Sequence, residues 1–364
     1  MDKLISLLRF SLGISPEFEH KLTAEEWTEM FDMAHRQALV GVLFCGVRRL
    51  NGNYAPPLPL MLQWTAEAEK ISGMNHAFNQ KAKELTEMFA DENRQSFILK
   101  GQANARLYPE PLSRQPGDID IYVSGGRESV LKMLEDKDLI DKDGFVHYHH
   151  VHFKEDSDGI EVEVHFRPSS GVFNPFGNKH IQKFLNERMQ NLTLTDGGYY
   201  IPDMQFALVM QLAHIDRHFI GSGIGLRQII DYYYLLNNST KEDRDAVSAK
   251  LKDFKLKQFA AALMWLLKQI FALDESLMLC SPNERTGRRI TQEIIQTGNF
   301  GWYSEFRNES FIKRFIKSHI RLMKLFFYFP KDVYWERMYY CWFIIKTIPL
   351  RIRHRKLSLK DVDL

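Results

Sequence analysis

Two acidic residues in this sequence are spaced so that they could bind a cation. Asp118 and Asp120 lie two positions apart in residues 117–123, GDIDIYV, whose β-branched side chains predict a strand. Because side chains on a strand alternate between its faces, both carboxylates point one way while Ile119 and Ile121 point into a core. Carboxylates this close repel each other unless a cation lies between them, so the pattern indicates a divalent-metal site. The alternative is an edge strand with a solvated acidic face.

A second strand with acidic residues follows. Residues 159–166, GIEVEVHF, alternate apolar and polar side chains, which places Glu161, Glu163 and His165 on one face. The two strands together could direct three or more oxygen ligands at one point. Such ligands suit Mg²⁺ or Mn²⁺, which also bind substrate phosphates. The two glutamates lie about 6.5–7 Å apart along the strand, and strand geometry alone does not choose between them.

The residues before the first acidic strand have the pattern of a phosphate-binding turn. Residues 97–99 predict a strand that ends at Lys100 and Gly101 and leads into a short helix beginning at Gln102. Amides at the start of a helix can bind phosphate, Gly101 would allow close approach, and Lys100 could supply charge. The alternative is a plain tight turn with an exposed lysine. Arg114, in the loop before the aspartates, either contacts a phosphate or braces the aspartates by a salt bridge.

These motifs resemble those of the DNA polymerase beta-like nucleotidyltransferase superfamily, and most closely an uncharacterised bacterial branch of it. The resemblance covers residues 97–167 and extends more weakly to residue 234. It implies an α+β protein in which a small mixed β-sheet is flanked by helices. The residues that carry it are Leu99-Lys100-Gly101, Tyr108-Pro109, Arg114, Gly117 to Asp120, Glu163-Val164-His165, Gly225-Leu226-Arg227-Gln228 and Asp231.

The resemblance also implies an activity and a set of site residues. Asp118, Asp120 and Glu163 would be the catalytic carboxylates and would hold two Mg²⁺ or Mn²⁺ ions. A nucleoside triphosphate would donate its nucleoside monophosphate to an acceptor hydroxyl or phosphate. The residues expected to contact the triphosphate are Lys100, Gly101, Gln102 and Arg114.

One departure from the superfamily pattern supports a second interpretation. The usual Gly-Ser after the first strand is replaced here by Gly101 and Gln102. A catalytically degenerate nucleotide-binding or scaffold protein is therefore the alternative to an active enzyme. The Glu-x-His context favours Glu163 over Glu161 as the third metal ligand, and so does its place nearer the strand centre.

Four histidines lie in residues 145–154, FVHYHHVHFK, which predict a further strand. A period of two sends His147 and His149 to one face and His150 and His152 to the other, so no single ligand cluster is expected. One of these faces is expected to line the cleft. Further along the chain, an Arg and an Asp four residues apart on a helix predict an intrahelical ion pair, although the resemblance favours a cleft-facing helix. The candidate cleft residues are Glu161, His165, His149, Arg227 and Asp231.

Periodicity divides the chain into three parts. Residues 1–94 form an N-terminal helical lobe, residues 95–201 an α/β core, and residues 202–364 a C-terminal helical lobe. A capping box of Thr23 and Glu26 begins one helix, and residues 168–178, rich in Ser, Gly, Pro and Asn, predict a loop. The predicted helices are residues 60–91, 127–137, 204–219, 224–236, 242–254, 256–273, 284–297, 311–329 and 333–348.

Composition narrows the class of protein. The 364 residues are 45% apolar and 26% charged, as in ordinary globular proteins. Cys45, Cys280 and Cys341 lie far apart, so neither a disulfide framework nor a cysteine zinc site is expected, and a reducing compartment fits. The N-terminus lacks the features of a secretion signal. We therefore expect a cytoplasmic protein.

The C-terminal segment is strongly basic. Residues 311–360 contain 13 Lys and Arg against Asp332 and Glu336, a net charge of +11, together with many aromatic residues. Such a segment could lie on an anionic membrane surface or bind nucleic acid. Its apolar run at residues 341–345 is too short to cross a bilayer. The alternative is a core helical element with a basic outer face.

Overall fold

The computed structural model describes residues 2–141, 145–154, 159–298 and 311–354. Within these ranges a four-stranded sheet has the order β1-β2-β4-β3, and β5 and β6 form a separate antiparallel pair. In the larger sheet β2 and β4 are parallel, whereas β1 with β2 and β3 with β4 are antiparallel. The strands are β1 (Ser96–Ile98), β2 (Ile119–Val123), β3 (His150–His152), β4 (Val162–His165), β5 (Leu192–Leu194) and β6 (Tyr200–Pro202).

Helices surround this small mixed sheet, and the expected α+β class is confirmed. The long helix before the sheet and the short helix after β2 cover one of its faces, while the C-terminal helices lie on the other side of the site. The helices are α1 (Asp2–Ser11), α2 (Ala24–Arg36), α3 (Val40–Val47), α4 (Leu58–Asp91), α5 (Gln102–Ala105), α6 (Arg127–Asp136), α7 (Pro175–Arg188), α8 (Met204–Gly221), α9 (Leu226–Asn238), α10 (Lys241–Lys250), α11 (Lys257–Phe271), α12 (Glu284–Thr297), α13 (Phe311–Phe326) and α14 (Pro330–His354).

Local sequence signals account for several helix starts. The predicted capping box is present at α2, where the Thr23 hydroxyl accepts a hydrogen bond from the Glu26 amide and the Glu26 carboxylate accepts one from the Thr23 amide. At α7 the Asn174 side chain caps the helix and Pro175 occupies the first turn. The prediction of a loop over residues 168–178 is therefore wrong for residues 175–178, which belong to α7. Asn and Pro can begin a helix as readily as they form a turn.

The core consists of two clusters of buried side chains. One lies between the sheet and helices α4 and α6, and contains Ile119 and Ile121, as the alternation of β2 predicts. The other extends from α1 through α8, α9 and α11 to α13. Because this second cluster includes residues from all three predicted parts of the chain, the helical lobes share a core; the boundaries at residues 94 and 201 stay a prediction.

Among the described residues, none of the helices combines the length and the hydropathy that a membrane span requires.

A buried acidic residue on α8 makes stability depend on pH. Asp216 is 3% exposed, and its Oδ1 atom has no hydrogen-bond partner within the described residues. Burial, reinforced by the charge of Asp332 at the start of α14, raises the pKa of Asp216 well above its usual value. Burial likewise raises the pKa of Asp332 to about 6. Both carboxyl groups therefore keep their protons more tightly in the folded chain than in the unfolded one.

We expect Asp216→Asn to stabilise the protein at neutral pH. The folded wild type retains a proton that the unfolded chain loses above about pH 4, so its stability falls as the pH rises through that value. The variant has no such proton, so its free energy of unfolding should exceed that of the wild type by about 1–3 kcal/mol at pH 7. The difference should shrink towards pH 4. Urea unfolding at both pH values measures this, with Asp253→Asn on the surface as the control. A variant no more stable than the wild type at pH 7 would contradict it.

Candidate active site

The acidic side chains converge because β2 and β4 are parallel neighbours. Their register places Asp120 directly opposite Glu163 and Tyr122 opposite His165. Asp118 immediately precedes β2, whose first amide, at Ile119, donates to the carbonyl of Glu161. In a sheet, opposite residues on adjacent strands have their side chains on the same face. Asp120 and Glu163 therefore lie side by side, with Asp118 at the strand entrance.

Lys100 lies among these carboxylates. Its Nζ is 2.5 Å from Oδ2 of Asp120 and 3.5 Å from Oδ2 of Asp118. Although burial alone would lower the pKa of Lys100, the charges of Asp118, Asp120 and Glu163 raise it above its usual value. The lysine is thus protonated and offsets part of the negative charge. The alternative of a plain turn with an exposed lysine is wrong, since the side chain is only 17% exposed.

The His165 imidazole connects the carboxylates of Asp120 and Glu163. Its Nε2 lies 3.1 Å from Oδ1 of Asp120 and 3.3 Å from Oε2 of Glu163. Burial alone would lower the pKa of His165, but its hydrogen bonds to Asp120 and Glu163 raise it to about 9. Burial alone would raise the pKa of Glu163, but the hydrogen bond from His165 together with the positive charges of His165 and Lys100 lowers it. The imidazole is therefore charged at neutral pH and holds the two carboxylates in place.

This arrangement fits a divalent cation. Asp118, Asp120 and Glu163 carry three negative charges, whereas Lys100 and His165 supply two positive ones. Oδ2 of Asp120 is buried and has no hydrogen bond of normal geometry within the described residues, although the lysine amine contacts it as an ion pair. Carboxylate oxygens of Asp120 and Glu163 lie within 4.8 Å of each other. Carboxylate oxygens with uncompensated charge are the donors that Mg²⁺ and Mn²⁺ prefer.

The turn after β1 leads into α5 at Gln102, as expected. Gly101 adopts a positive φ of 64°, and a Cβ there would lie 3.5 Å from the carbonyl oxygen of Asp118, so the turn runs close to the acidic strand. The amides of Ala103 and Asn104 donate to the carbonyls of Lys100 and Gly101, and α5 ends after a single turn. The amides of Ala103 and Asn104 are thus engaged within the turn, and phosphate binding by the amides of Gly101 and Gln102 stays a prediction.

Gln102 is directed away from the carboxylates. Its side-chain amide is buried and donates to Oδ1 of Asn79 on α4, at 2.8 Å. This hydrogen bond ties the turn to the long helix behind it. A role for the Gln102 side chain in triphosphate binding stays a prediction that this contact does not favour.

Arg114 pairs with a residue far away in the sequence. Its Nε and Nη2 donate to Oδ1 and Oδ2 of Asp231 on α9, each at 2.8 Å, and the hydroxyl of Tyr108 donates to Oδ1 at 2.7 Å. All three side chains are buried. The salt-bridge partner of Arg114 is therefore Asp231 and not Asp118 or Asp120, while contact between Arg114 and a phosphate stays a prediction.

Arg227, four residues before Asp231 on α9, contacts the loop before β2. Its Nη1 donates to the carbonyls of Gln115 and Pro116, at 2.9 and 3.3 Å. The ion pair expected between Arg227 and Asp231 stays a prediction. A Cβ on Gly117 would lie 3.5 Å from this guanidinium, an ordinary van der Waals distance, so the residue before Asp118 packs directly beside Arg227. Burial, together with the charge of Arg114, lowers the pKa of Arg227 to about 10. Arg227 remains a cation at neutral pH and forms part of the wall of the cleft.

A small cleft lies between the carboxylates and the C-terminal helices. The expectation that α9 faces the cleft agrees with this geometry, and α8 forms another wall. Gln211 on α8 was missed by sequence reasoning; its spacing of three and seven residues from His214 and His218 on one helix face was the available signal. The lining residues are Lys100, Gly101, Arg114, Gly117, Asp118, Gln211, His214, Arg227, Gln228 and Asp231.

The four histidines lie together, contrary to expectation. Only His150 and His152 belong to β3, so the alternation of a strand does not extend to the two preceding histidines. The ring of His147 stacks on that of His150 with centroids 4.3 Å apart, and His149 contacts His150 and His165. Burial lowers the pKa of His147 to about 4, and those of His149 and His150 are also lowered. The predicted separation onto two faces is wrong.

Comparison with known proteins identifies the class of protein and then its family. The small mixed sheet with its flanking helices is an α+β, nucleotidyltransferase-like fold. Residues 23–272 match the family described as uncharacterised nucleotidyltransferase, and since this is more than half of the chain, the protein belongs to that family. The family resemblance is thus confirmed, while α12 to α14 lie beyond the matched residues.

Other comparisons add little. An antigenic nucleotidyltransferase-like protein from Paracoccidioides brasiliensis is similar in structure, with 14% identity and a TM-score of 0.36 over 58% of this chain and 96% of the other. So low a TM-score carries no argument about function. No curated protein matches the chain.

We expect Asp231→Asn to destabilise the protein strongly. The substitution leaves the Arg114 guanidinium buried without its counter-charge, which should lower the free energy of unfolding by about 3–5 kcal/mol. Tyr108→Phe is the matched control, because it removes one hydrogen bond to the same carboxylate and should cost only about 1.5–3 kcal/mol. Urea unfolding monitored by circular dichroism measures both. A loss below about 1 kcal/mol in Asp231→Asn would show that the pair is not a determinant of stability.

Proposed function

We propose that this protein is a metal-dependent enzyme that moves a nucleoside monophosphate from a nucleoside triphosphate to an acceptor hydroxyl or phosphate. Asp118, Asp120 and Glu163 would hold two Mg²⁺ or Mn²⁺ ions. The observation that carries the proposal is the parallel register of β2 and β4, with Asp120 opposite Glu163. Membership of the nucleotidyltransferase family supports it.

Bound divalent cations would lower the pKa of the acceptor hydroxyl and offset charge on the triphosphate and on the leaving pyrophosphate. The chain's own residues have separate tasks. His165 keeps Asp120 and Glu163 oriented by hydrogen bonds to both. Lys100 lies beside the carboxylates, where it could contact a triphosphate, and Arg227 in the cleft wall is a second cation that favours phosphate binding. The cleft thus combines acidic metal ligands with basic phosphate contacts.

The degenerate alternative differs from an active enzyme in one measurable respect. A nucleotide-binding scaffold would bind a triphosphate without consuming it, whereas an enzyme would release pyrophosphate or label an acceptor. Incubation of the protein with each nucleoside triphosphate and Mg²⁺ or Mn²⁺, followed by pyrophosphate detection and by a test for self-labelling, separates the two. Binding without any turnover would favour the scaffold.

We expect Asp120→Asn to abolish magnesium-dependent triphosphate turnover while the fold persists. The change removes a ligand charge without changing side-chain size, so turnover should fall by about 1,000-fold or more. Circular dichroism and thermal melting check the fold. Asp136→Asn, at the end of α6, is the matched control and should leave turnover unchanged. If Asp120→Asn turned over the triphosphate at the wild-type rate, the metal-site proposal would have to be abandoned.

The two glutamates of the second acidic segment should differ in importance. Glu163 is 17% exposed and opposite Asp120, whereas Glu161 is 65% exposed and lies 3.2 Å from Nδ1 of His152. Glu163→Gln should therefore reduce turnover by about 100-fold or more, and Glu161→Gln by no more than about tenfold. Steady-state kinetics with varied Mg²⁺ measures both. A greater loss in Glu161→Gln would contradict the assignment of Glu163 as the metal ligand.

A second role, attachment to an anionic membrane surface, is favoured by the form of helices α13 and α14. One side of this helix pair packs into the core through Leu322, Leu325 and Phe329. The opposite side leaves a stripe of large apolar residues in solvent. Its members are Ile316, Ile320, Met323, Phe326, Phe327, Tyr334, Met338, Trp342, Ile345 and Ile348.

Basic side chains accompany this stripe. Lys313, Lys324 and Lys346 are exposed, and the amine of Lys346 lies over the ring of Trp342. Arg321, in contrast, pairs with Glu293 and is a packing residue. Aliphatic side chains together with lysines suit a lipid surface better than nucleic acid, because aliphatic groups enter the acyl region while lysines meet anionic headgroups. Both the core role and the surface role expected of this segment are compatible with the geometry.

We expect the full-length protein to co-sediment with vesicles that contain anionic lipids, and salt to release it, since the attraction is screened within about one Debye length. Replacing the exposed Phe327 by Ser should weaken binding at least about tenfold by removing an apolar contact. Leu58→Ser, an exposed apolar residue at the other end of the chain, is the control. Salt-sensitive binding to nucleic acid instead, or to neither, would contradict membrane attachment.

A further inference from the structure

We propose that His147, His150 and His152 form a transition-metal site of the zinc class, adjacent to the carboxylate site but built from different ligands. Glu163 lies between the two, with its oxygens 3.9 Å from Nε2 of His152 and 3.5 Å from Nδ1 of His150. Their ligand nitrogens lie within 4.8 Å of one another. Two imidazole nitrogens bound to one tetrahedral zinc at about 2.0–2.1 Å are about 3.3–3.4 Å apart. The Nε2 atoms of His150 and His152 are separated by 3.3 Å. This proposal does not depend on the proposed nucleotidyl transfer.

The surroundings orient both of these imidazoles for metal binding. Nδ1 of His152 lies 3.2 Å from Oε1 of Glu161, and because a carboxylate only accepts, Nδ1 must carry the proton. A neutral His152 then presents a lone pair at Nε2. This carboxylate–histidine arrangement is the one that commonly fixes metal-binding imidazoles. Glu161 thereby acquires a role distinct from that of Glu163.

The imidazole of His150 has a hydrogen-bond partner at its Nδ1 atom. Its Nδ1 lies 2.9 Å from Nε2 of His149. When the proton of His150 is on Nε2, this atom donates a hydrogen bond to Nε2 of His152; we assign this arrangement to the metal-free protein. When the proton is on Nδ1, that atom donates to Nε2 of His149. The Nε2 lone pairs of His150 and His152 are then both available to one metal ion at one point. A cation at that point stabilises the second tautomer without any net loss of protons from His150.

His147 supplies the third nitrogen. The amide of His147 donates to the carbonyl of His150 at 3.0 Å, a tight bend that stacks the two rings. His147 and His152 are only partly buried, so an ion has access from solvent. Three imidazoles with a fourth position open to water is a common zinc coordination. Because β3 is an edge strand, the ion would fasten the preceding bend to the sheet beside the carboxylates.

The test uses Co²⁺ as a spectroscopic substitute for zinc on the full-length, tag-free protein after treatment with a chelator. We expect one equivalent of Co²⁺ to bind with the strong visible absorption of tetrahedral coordination. Zn²⁺ should displace it and raise the melting temperature. Millimolar Mg²⁺ should not compete, since it prefers oxygen ligands. No stoichiometric absorption, or displacement by Mg²⁺, would overturn the proposal.

Variants separate this site from the carboxylates. His150→Gln and His152→Gln should weaken Co²⁺ binding by more than about 100-fold, since even loss of a supporting contact costs about 10–100-fold. Asp118→Asn should bind Co²⁺ normally, and so should His180→Gln, the exposed-histidine control on α7. Because His150 is buried and its variant could unfold, Glu161→Gln provides an independent test. It changes an exposed residue and should weaken binding by about 10–100-fold by releasing the His152 tautomer. Unchanged affinity in His152→Gln or in Glu161→Gln would overturn the assignment.

Discussion

The structure depends on offsetting the charge of carboxylates that two parallel strands bring together. Asp120 is 2% exposed and lies directly opposite Glu163, an arrangement that would be strongly unfavourable without nearby positive charge. That charge comes from Lys100, which follows β1, and from His165, which lies on β4. These groups are held at one place by the turn after β1 and by the packing of α4 against the sheet. A residual negative charge remains, and this charge supports the proposal that a cation binds here.

The same principle connects the sheet to the C-terminal helices. Arg114 follows the turn that precedes β2, and its guanidinium is held by Asp231 on α9, with Tyr108 completing the arrangement. Arg227 binds the backbone on the other side of this loop. The loop that carries the first aspartate is thus fixed to α9 by buried polar contacts, and the cleft is formed by both parts. Breaking one such contact affects the fold and the site together.

Several features of the site follow from local sequence alone. The alternation of residues 117–123 and 159–166 predicted which side chains enter the core, and Ile119, Ile121, Val162 and Val164 are indeed buried there. The capping box of Thr23 and Glu26 predicted the start of α2. The four histidines were misplaced for a physical reason. Strand alternation was applied to a segment in which only residues 150–152 pair with a neighbour, and the bend before them turns the other rings onto the same side.

The sequence by itself determined the class of fold, the acidic strands and the family to which the chain belongs, because strand alternation, helix caps and short motifs depend on residues close together in the chain. The tertiary structure decided the partners of Arg114 and Arg227 and the position of Lys100 between the aspartates. Arg114 and Asp231 are separated by 117 positions, and local periodicity carries no information about which distant charge will be buried against which. Those partnerships are set by how whole helices and strands pack, since a buried charge must find its counter-charge wherever the packing places one.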